Sequence, residues 1–146
     1  MKKNKIIIFL IFLIHPFFSY SHINHYDKLK IIEMDVLRNG KKIGYNKYRF
    51  KSQNNLFVVK NEINFVAKLI GISLLDVYGT STETFINGKL IKFKSETIQN
   101  KKKKYNELTL EEDKKNFQIK GSSFKGNVPS TVLVGNWWNH NILQSK

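Results

Sequence analysis

The chain has 146 residues, 25 Lys and Arg against 11 Asp and Glu, a formal charge of +14 and no cysteine. The absence of cysteine excludes disulfides, an acylated lipoprotein-type cysteine and a thiol nucleophile, so a single domain of this length has to be held by its core alone. The charge invites nucleic acid or an anionic surface as partner. However, Arg38 and Arg49 are the only arginines, and abundant Lys, Asn and Ile share A/T-rich codons. Base-reading sites favour the bidentate arginine fork, so the excess of lysine reads as genome bias and nucleic acid is not expected.

In chain order, Met1–Lys5 is a short basic start, Ile6–Ile14 is apolar throughout, and Pro16 stops the run. Ser19 and Ser21 place small residues at positions −3 and −1 of a cut between Ser21 and His22. This is the three-part layout of a secretory signal peptide. The run is too short for the roughly 20 apolar residues that span a bilayer, although an uncleaved anchor is the rival reading. The expectation is a signal peptide over 1–21, with a signal helix, and one β-rich domain over 22–146. That domain would lie in the periplasm or be secreted, and loss of Lys2, Lys3 and Lys5 leaves it 22 basic against 11 acidic residues.

From residue 29 onward the pattern is strand and turn. Leu29–Arg38 places Ile32, Met34 and Val36 on one face, and Asn39-Gly40 is a strong two-residue hairpin signal because both residues tolerate positive φ. Lys41–Lys51 returns with Ile43 and Tyr45 on one face, and Ser52–Asn55 reads as the next turn. Over Leu56–Leu69, Phe57, Val59, Ile63, Phe65 and Ala67 alternate with Lys60, Glu62 and Asn64. Ile70–Ser73 reads as a loose junction around Gly71. Leu74–Ile86 follows, with Thr80, Thr82 and Thr84 on one side, then Asn87-Gly88 and a return over Lys89–Gln99 carrying Ile91 and Phe93. Tyr105–Glu112 and Asn116–Lys120 form a short pair around Asp113-Lys114-Lys115. The predicted fold is mainly β: an antiparallel meander of long strands, one face apolar, forming a strongly curved sheet or partial barrel.

Lys101–Lys104 reads as a solvated hairpin tip, with an anionic membrane surface as the functional alternative through Lys101, Lys102, Lys103 and Lys104. Gly121–Gly126 is Gly/Ser-rich, Pro129-Ser130-Thr131 stops any strand, and Trp137-Trp138 follows. Adjacent residues of a strand point to opposite faces, so one Trp is left exposed unless something further covers it. A curled sheet with an apolar interior can hold a greasy ligand. The candidate ligand-binding residues are Phe57, Phe65, Phe93, Trp137 and Trp138.

Catalytic chemistry is sparse. There is no Gly-x-Ser-x-Gly elbow, and Ser122-Ser123 reads as loop chemistry. Glu111-Glu112-Asp113 reads as a solvated hairpin end. Glu83 shares the face of Leu75, Val77 and Phe85, where a carboxylate is either paired or functional. A cut after Ser21 would give His22 a free amine beside its imidazole. That is a copper-chelating arrangement, with His25 or His140 as a further ligand. No cofactor is implied.

The order Asn39-Gly40 with Ile43-Gly44, Glu83 with Asn87-Gly88 and Leu90, Thr97 with Asn100, and Pro129-Ser130 leading to Trp138 resembles an uncharacterised exported proteobacterial family. It is domain-of-unknown-function family number 6134, which is related to family 3108. The resemblance implies a β-rich periplasmic protein without an assigned activity. It also implies further strands beyond the Pro-Ser…Trp region, so that a chain stopping at Lys146 is expected to be truncated. The leading expectation is a non-enzymatic envelope protein binding an apolar or lipid-like ligand. The alternatives are an envelope hydrolase with an unidentified site and a copper-binding module through His22.

Overall fold

The computed structural model describes residues 28–132 together with Val134, Gly135 and Trp138. The expected signal segment and its expected cut between Ser21 and His22, together with His25, His140 and Trp137, lie outside the described residues. Eight strands follow one another: β1 (Ile31–Arg38), β2 (Lys41–Gln53), β3 (Leu56–Leu69), β4 (Ile72–Ile86), β5 (Lys89–Gln99), β6 (Lys102–Leu110), β7 (Asn116–Gly121) and β8 (Lys125–Pro129). They form one antiparallel sheet in the order of the chain, as the alternation and the Asn-Gly turns predict. Among the described residues β1 and β8 are edges, so the sheet is open.

Three hairpins share one construction. In the turns Asn39-Gly40, Ile70-Gly71 and Asn87-Gly88 both residues have positive φ, at 51° and 74°, 49° and 77°, and 49° and 76°. This is the mirror-image turn whose twist matches that of paired strands. Two residue pairs beyond each turn the register slips, leaving Ile43, Leu74 and Ile91 as extra residues. Such bulges bend the sheet and increase its twist. Beside the first of them, β2 and β3 approach so closely that a Cβ on Gly44 would stand 2.0 Å from the Asn64 carbonyl oxygen.

One face carries the core. Tyr48, Phe50, Phe57, Val59, Phe85 and Trp138 form one buried cluster; Phe93, Leu108 and Phe117 form a second, and Leu90 packs against both. The other face carries cross-strand ion pairs, among them Lys47–Glu33 at 2.7 Å and Lys92–Glu107 at 3.0 Å.

Several details depart from the sequence reading. In β2 the core residues are Asn46, Tyr48 and Phe50, while Tyr45 points to the opposite face and Ile43 is the bulged residue. Both faces of β2 carry aromatics, so alternation alone does not choose between them. Ile70–Ser73 is no loose junction: Ile70-Gly71 is a tight turn and β4 starts at Ile72. β2 runs on to Gln53, leaving Asn54-Asn55 as the turn. Lys102, Lys103 and Lys104 are strand residues of β6, and only Lys101 stands in the turn. Strand β8 is absent from the sequence reading because Lys125–Pro129 lacks a β-branched run. It forms as an edge strand, where Pro129 is tolerated at its end.

Candidate functional site

The covered face divides into three zones along the strands. The first, toward the β2–β3 and β4–β5 turns, is closed by Trp138. Its ring lies 5.7 Å from Phe50, 6.1 Å from Phe57 and 5.9 Å from Phe85, tilted or edge-on to each. Offset and edge-on ring pairs each add about 0.5–1.5 kcal/mol to the area they bury. The indole Nε1–H donates to Glu83 Oε1 at 2.8 Å, joining residues 55 positions apart. Glu83 is 2 % exposed. Burying a carboxylate is costly without donors, and Trp138 supplies one while its rings fill the surrounding space. Glu83 therefore faces an indole inside the core and not an open cleft.

The second zone is a polar row crossing the sheet. Registers place Tyr48 opposite Asn61, Asn61 opposite Ser81, Ser81 opposite Ser95 and Ser95 opposite Asn106. Asn61 Nδ2 donates to Asn46 Oδ1 and to the Lys47 carbonyl, and Asn46 Nδ2 donates to the Tyr48 hydroxyl. Farther along the row, the buried Ser81 Oγ and Asn106 Oδ1 have no hydrogen-bond partner among the described residues. Buried polar atoms are nearly always paired, so these two oxygens need an account. A cavity of about 260 Å³ adjoins Asn106, lined by Ser95, Thr97, Gly121, Ser122 and Phe124 among others.

The third zone, toward the β1–β2, β3–β4 and β5–β6 turns, holds half-buried Ile63, Phe65 and Val77. They belong to neither core cluster. The candidate ligand residues are thus separated by the fold. Phe57 and Trp138 lie in the aromatic cluster, Phe93 lies in the second cluster, and Phe65 stands apart from both. Sequence reading missed the polar row, which becomes visible only once register aligns single polar residues from five strands.

Other expectations find plain positions. Ser122 sits in the β7–β8 turn with its hydroxyl on the backbone of Tyr105, at 3.4 Å from the carbonyl. Glu111 accepts from Asn127, and Asp113 accepts from the Lys115 backbone N–H, both at an exposed hairpin end. Among the described residues no three His, Cys, Asp or Glu side chains form a metal-binding group, and no helix is long and apolar enough to cross a membrane.

The described residues form an open, bulge-bent antiparallel meander with one covered face, which defines the class as a mainly β protein built on a single sheet. Residues 34–146 match the family described as a domain of unknown function (DUF6134), and the chain belongs to that family. No curated protein and no solved structure matches it.

Proposed function

We propose that the chain is an exported, non-catalytic domain of the cell envelope that holds an apolar or lipid-like ligand on the covered face of its sheet. The observation that carries this reading is the unequal cover of that face. Trp138 closes one end, while Ile63, Phe65 and Val77 at the other end are half-buried and outside both core clusters. An apolar strip next to Ser81 Oγ and Asn106 Oδ1, which have no partner among the described residues, suits an amphipathic molecule, its chain on Phe65 and its polar group on the row. Phe57, Phe93 and Trp138 then form the packed floor that holds the sheet in shape. The basic start and apolar run ahead of Ser21 support export.

The test is recovery of the protein from the envelope fraction, N-terminal sequencing, and solvent extraction followed by mass spectrometry. The expected result is a chain starting at His22 that releases an apolar compound, with at least tenfold less from Phe65→Asp. Recovery from the cytoplasm with residues 1–21 intact overturns export. A wild-type protein that releases nothing overturns ligand binding.

A further inference from the structure

The turn Ile70-Gly71 breaks two local rules at once. It has the same mirror-image geometry as Asn39-Gly40, Asn87-Gly88 and Asn100-Lys101, and in each of those three the first residue is Asn. Asn tolerates positive φ, whereas a β-branched residue there is a genuine outlier. Ile70 takes φ 49° and is 93 % exposed. It gains no core contact in return for the strained backbone. Beside it in β3 and β4, Leu69, Ile72 and Leu74 are exposed as well. Exposed aliphatic residues gathered at one tip mark an interaction surface, and strain that persists without packing points to function.

The same end of the sheet is basic. A groove of about 600 Å³ runs between Arg38, Lys41, Lys42 and Lys68, with Leu69 and Ile70 on its wall. Hydrogen bonds tie the hairpin ends into one surface. Arg38 Nη1 donates to the Lys68 carbonyl at 3.0 Å, and Asn100 Nδ2 donates to the Leu74 carbonyl at 3.2 Å. The second bond brings the β5–β6 turn, with exposed Lys101 in it and exposed Lys102 next to it, against β4. Nearby, Asp35 is taken up by Lys42 at 2.6 Å and Glu96 by Lys103 at 3.0 Å, while exposed Asp76 stands beside Asn100 as a single negative charge among these cations. An aliphatic tip ringed by cations has the chemistry of the bilayer interface: apolar side chains enter the acyl boundary while lysine and arginine meet phosphate headgroups.

From this we infer that the Ile70 end of the sheet docks on a membrane surface containing anionic phospholipid, with Ile70 and Ile72 entering the interface and Arg38, Lys41, Lys68, Lys101 and Lys102 holding headgroup phosphates. The inference rests on the sheet end alone and stands whether or not the covered face carries a ligand.

The absence of cysteine makes the test direct, because one introduced cysteine gives one labelling site. The full chain carries an environment-sensitive fluorophore either at Ser73→Cys, beside the tip, or at Asp113→Cys, at the opposite end of the sheet. Each is mixed with vesicles of phosphatidylcholine alone or with 30 % phosphatidylglycerol (a mole fraction of about 0.3, enough for a strongly negative surface). The expected result is a blue-shifted, iodide-protected signal at Ser73→Cys with anionic vesicles only, and an aqueous signal at Asp113→Cys throughout. Adding Ile70→Asn is expected to weaken the tip response about tenfold, with the melting temperature raised. Adding Lys101→Gln and Lys102→Gln is expected to weaken it about fivefold per lysine at low salt. A tip label that stays aqueous, an equal response to neutral vesicles, or an equal response at Asp113→Cys, as insertion of residues 6–14 alone would give, overturns the inference.

Discussion

At the end of the sheet that holds the β4–β5 turn, Asn87-Gly88 joins strands whose inward residues are covered: Phe85 packs on Trp138 and Leu90 packs against the same cluster. At the other end, the same turn geometry and the same bulge two pairs later carry Ile70 at the tip, and the aliphatic residues beside it face solvent. The local geometry is shared, so what differs is cover. One end receives an indole from far along the chain, which donates to a buried carboxylate. The other end receives hydrogen bonds from Arg38 and Asn100 but no apolar cover from the described residues, and it is basic. Hairpin geometry thus sets where side chains point, while a partner outside the hairpin decides whether an apolar group is core or surface.

Removing the cover should break this contrast most strongly. Trp138→Ala takes away three ring contacts and the donor to Glu83, and is expected to lower stability by about 3–5 kcal/mol. Trp138→Phe keeps most of the volume and is expected to cost about 1–3 kcal/mol, chiefly through the lost donor to Glu83. Urea denaturation of both variants checks this, and equal midpoints for wild type and Trp138→Ala would remove Trp138 from the core. A smaller effect is expected from exchanging the turn residues. Asn87→Ile should cost about 1–2 kcal/mol for a β-branched residue in the left-handed region, and Ile70→Asn should return a similar amount. Thermal melts that move in the same direction for both variants would show that Ile70 is not strained.

The smallest effect concerns pH. The hydrogen bonds from Lys103 and Lys92 hold Glu96 and Glu107 below the usual glutamate range. Their contribution is present above about pH 4.3, the unfolded value, and is lost as pH falls through the lowered folded values. The hydrogen bond to Asp35 raises Lys42, and the hydrogen bond to Glu62 raises Tyr45. Those contributions are complete below about pH 10 and are lost as pH rises through the raised folded values. A melting temperature that is level between about pH 5 and pH 9, with shallow declines outside that range that flatten in 1 M salt, is expected for such exposed pairs. A decline confined to neutral pH would assign the titration to other groups.

Most of the fold was readable from residues. Asn39-Gly40 and Asn87-Gly88 fixed two turns, because few other pairs accept two positive φ values in succession. The alternation Phe57, Val59, Ile63 and Phe65 fixed the covered face of β3. Reading failed where a rule was broken or silent. Ile70 concealed a tight turn, the aromatics on both sides of β2 left its core face open, and Lys125–Pro129 gave no strand signal. The candidate site was legible only in part. Glu83 stood out as a carboxylate among apolar residues, but nothing local linked it to Trp138. The polar row could not be read, because each strand contributes one or two of its members.

The sequence by itself determined an antiparallel meander, its turns of positive φ and the sign of its charge, since these depend on backbone sterics and on alternation over a few residues. The tertiary structure decided which apolar residues became core, that Glu83 met an indole, and that Ile70 stood at a basic end of the sheet with no apolar cover from the described residues. Each of those outcomes depends on register and on contacts between distant positions, which local preferences do not specify.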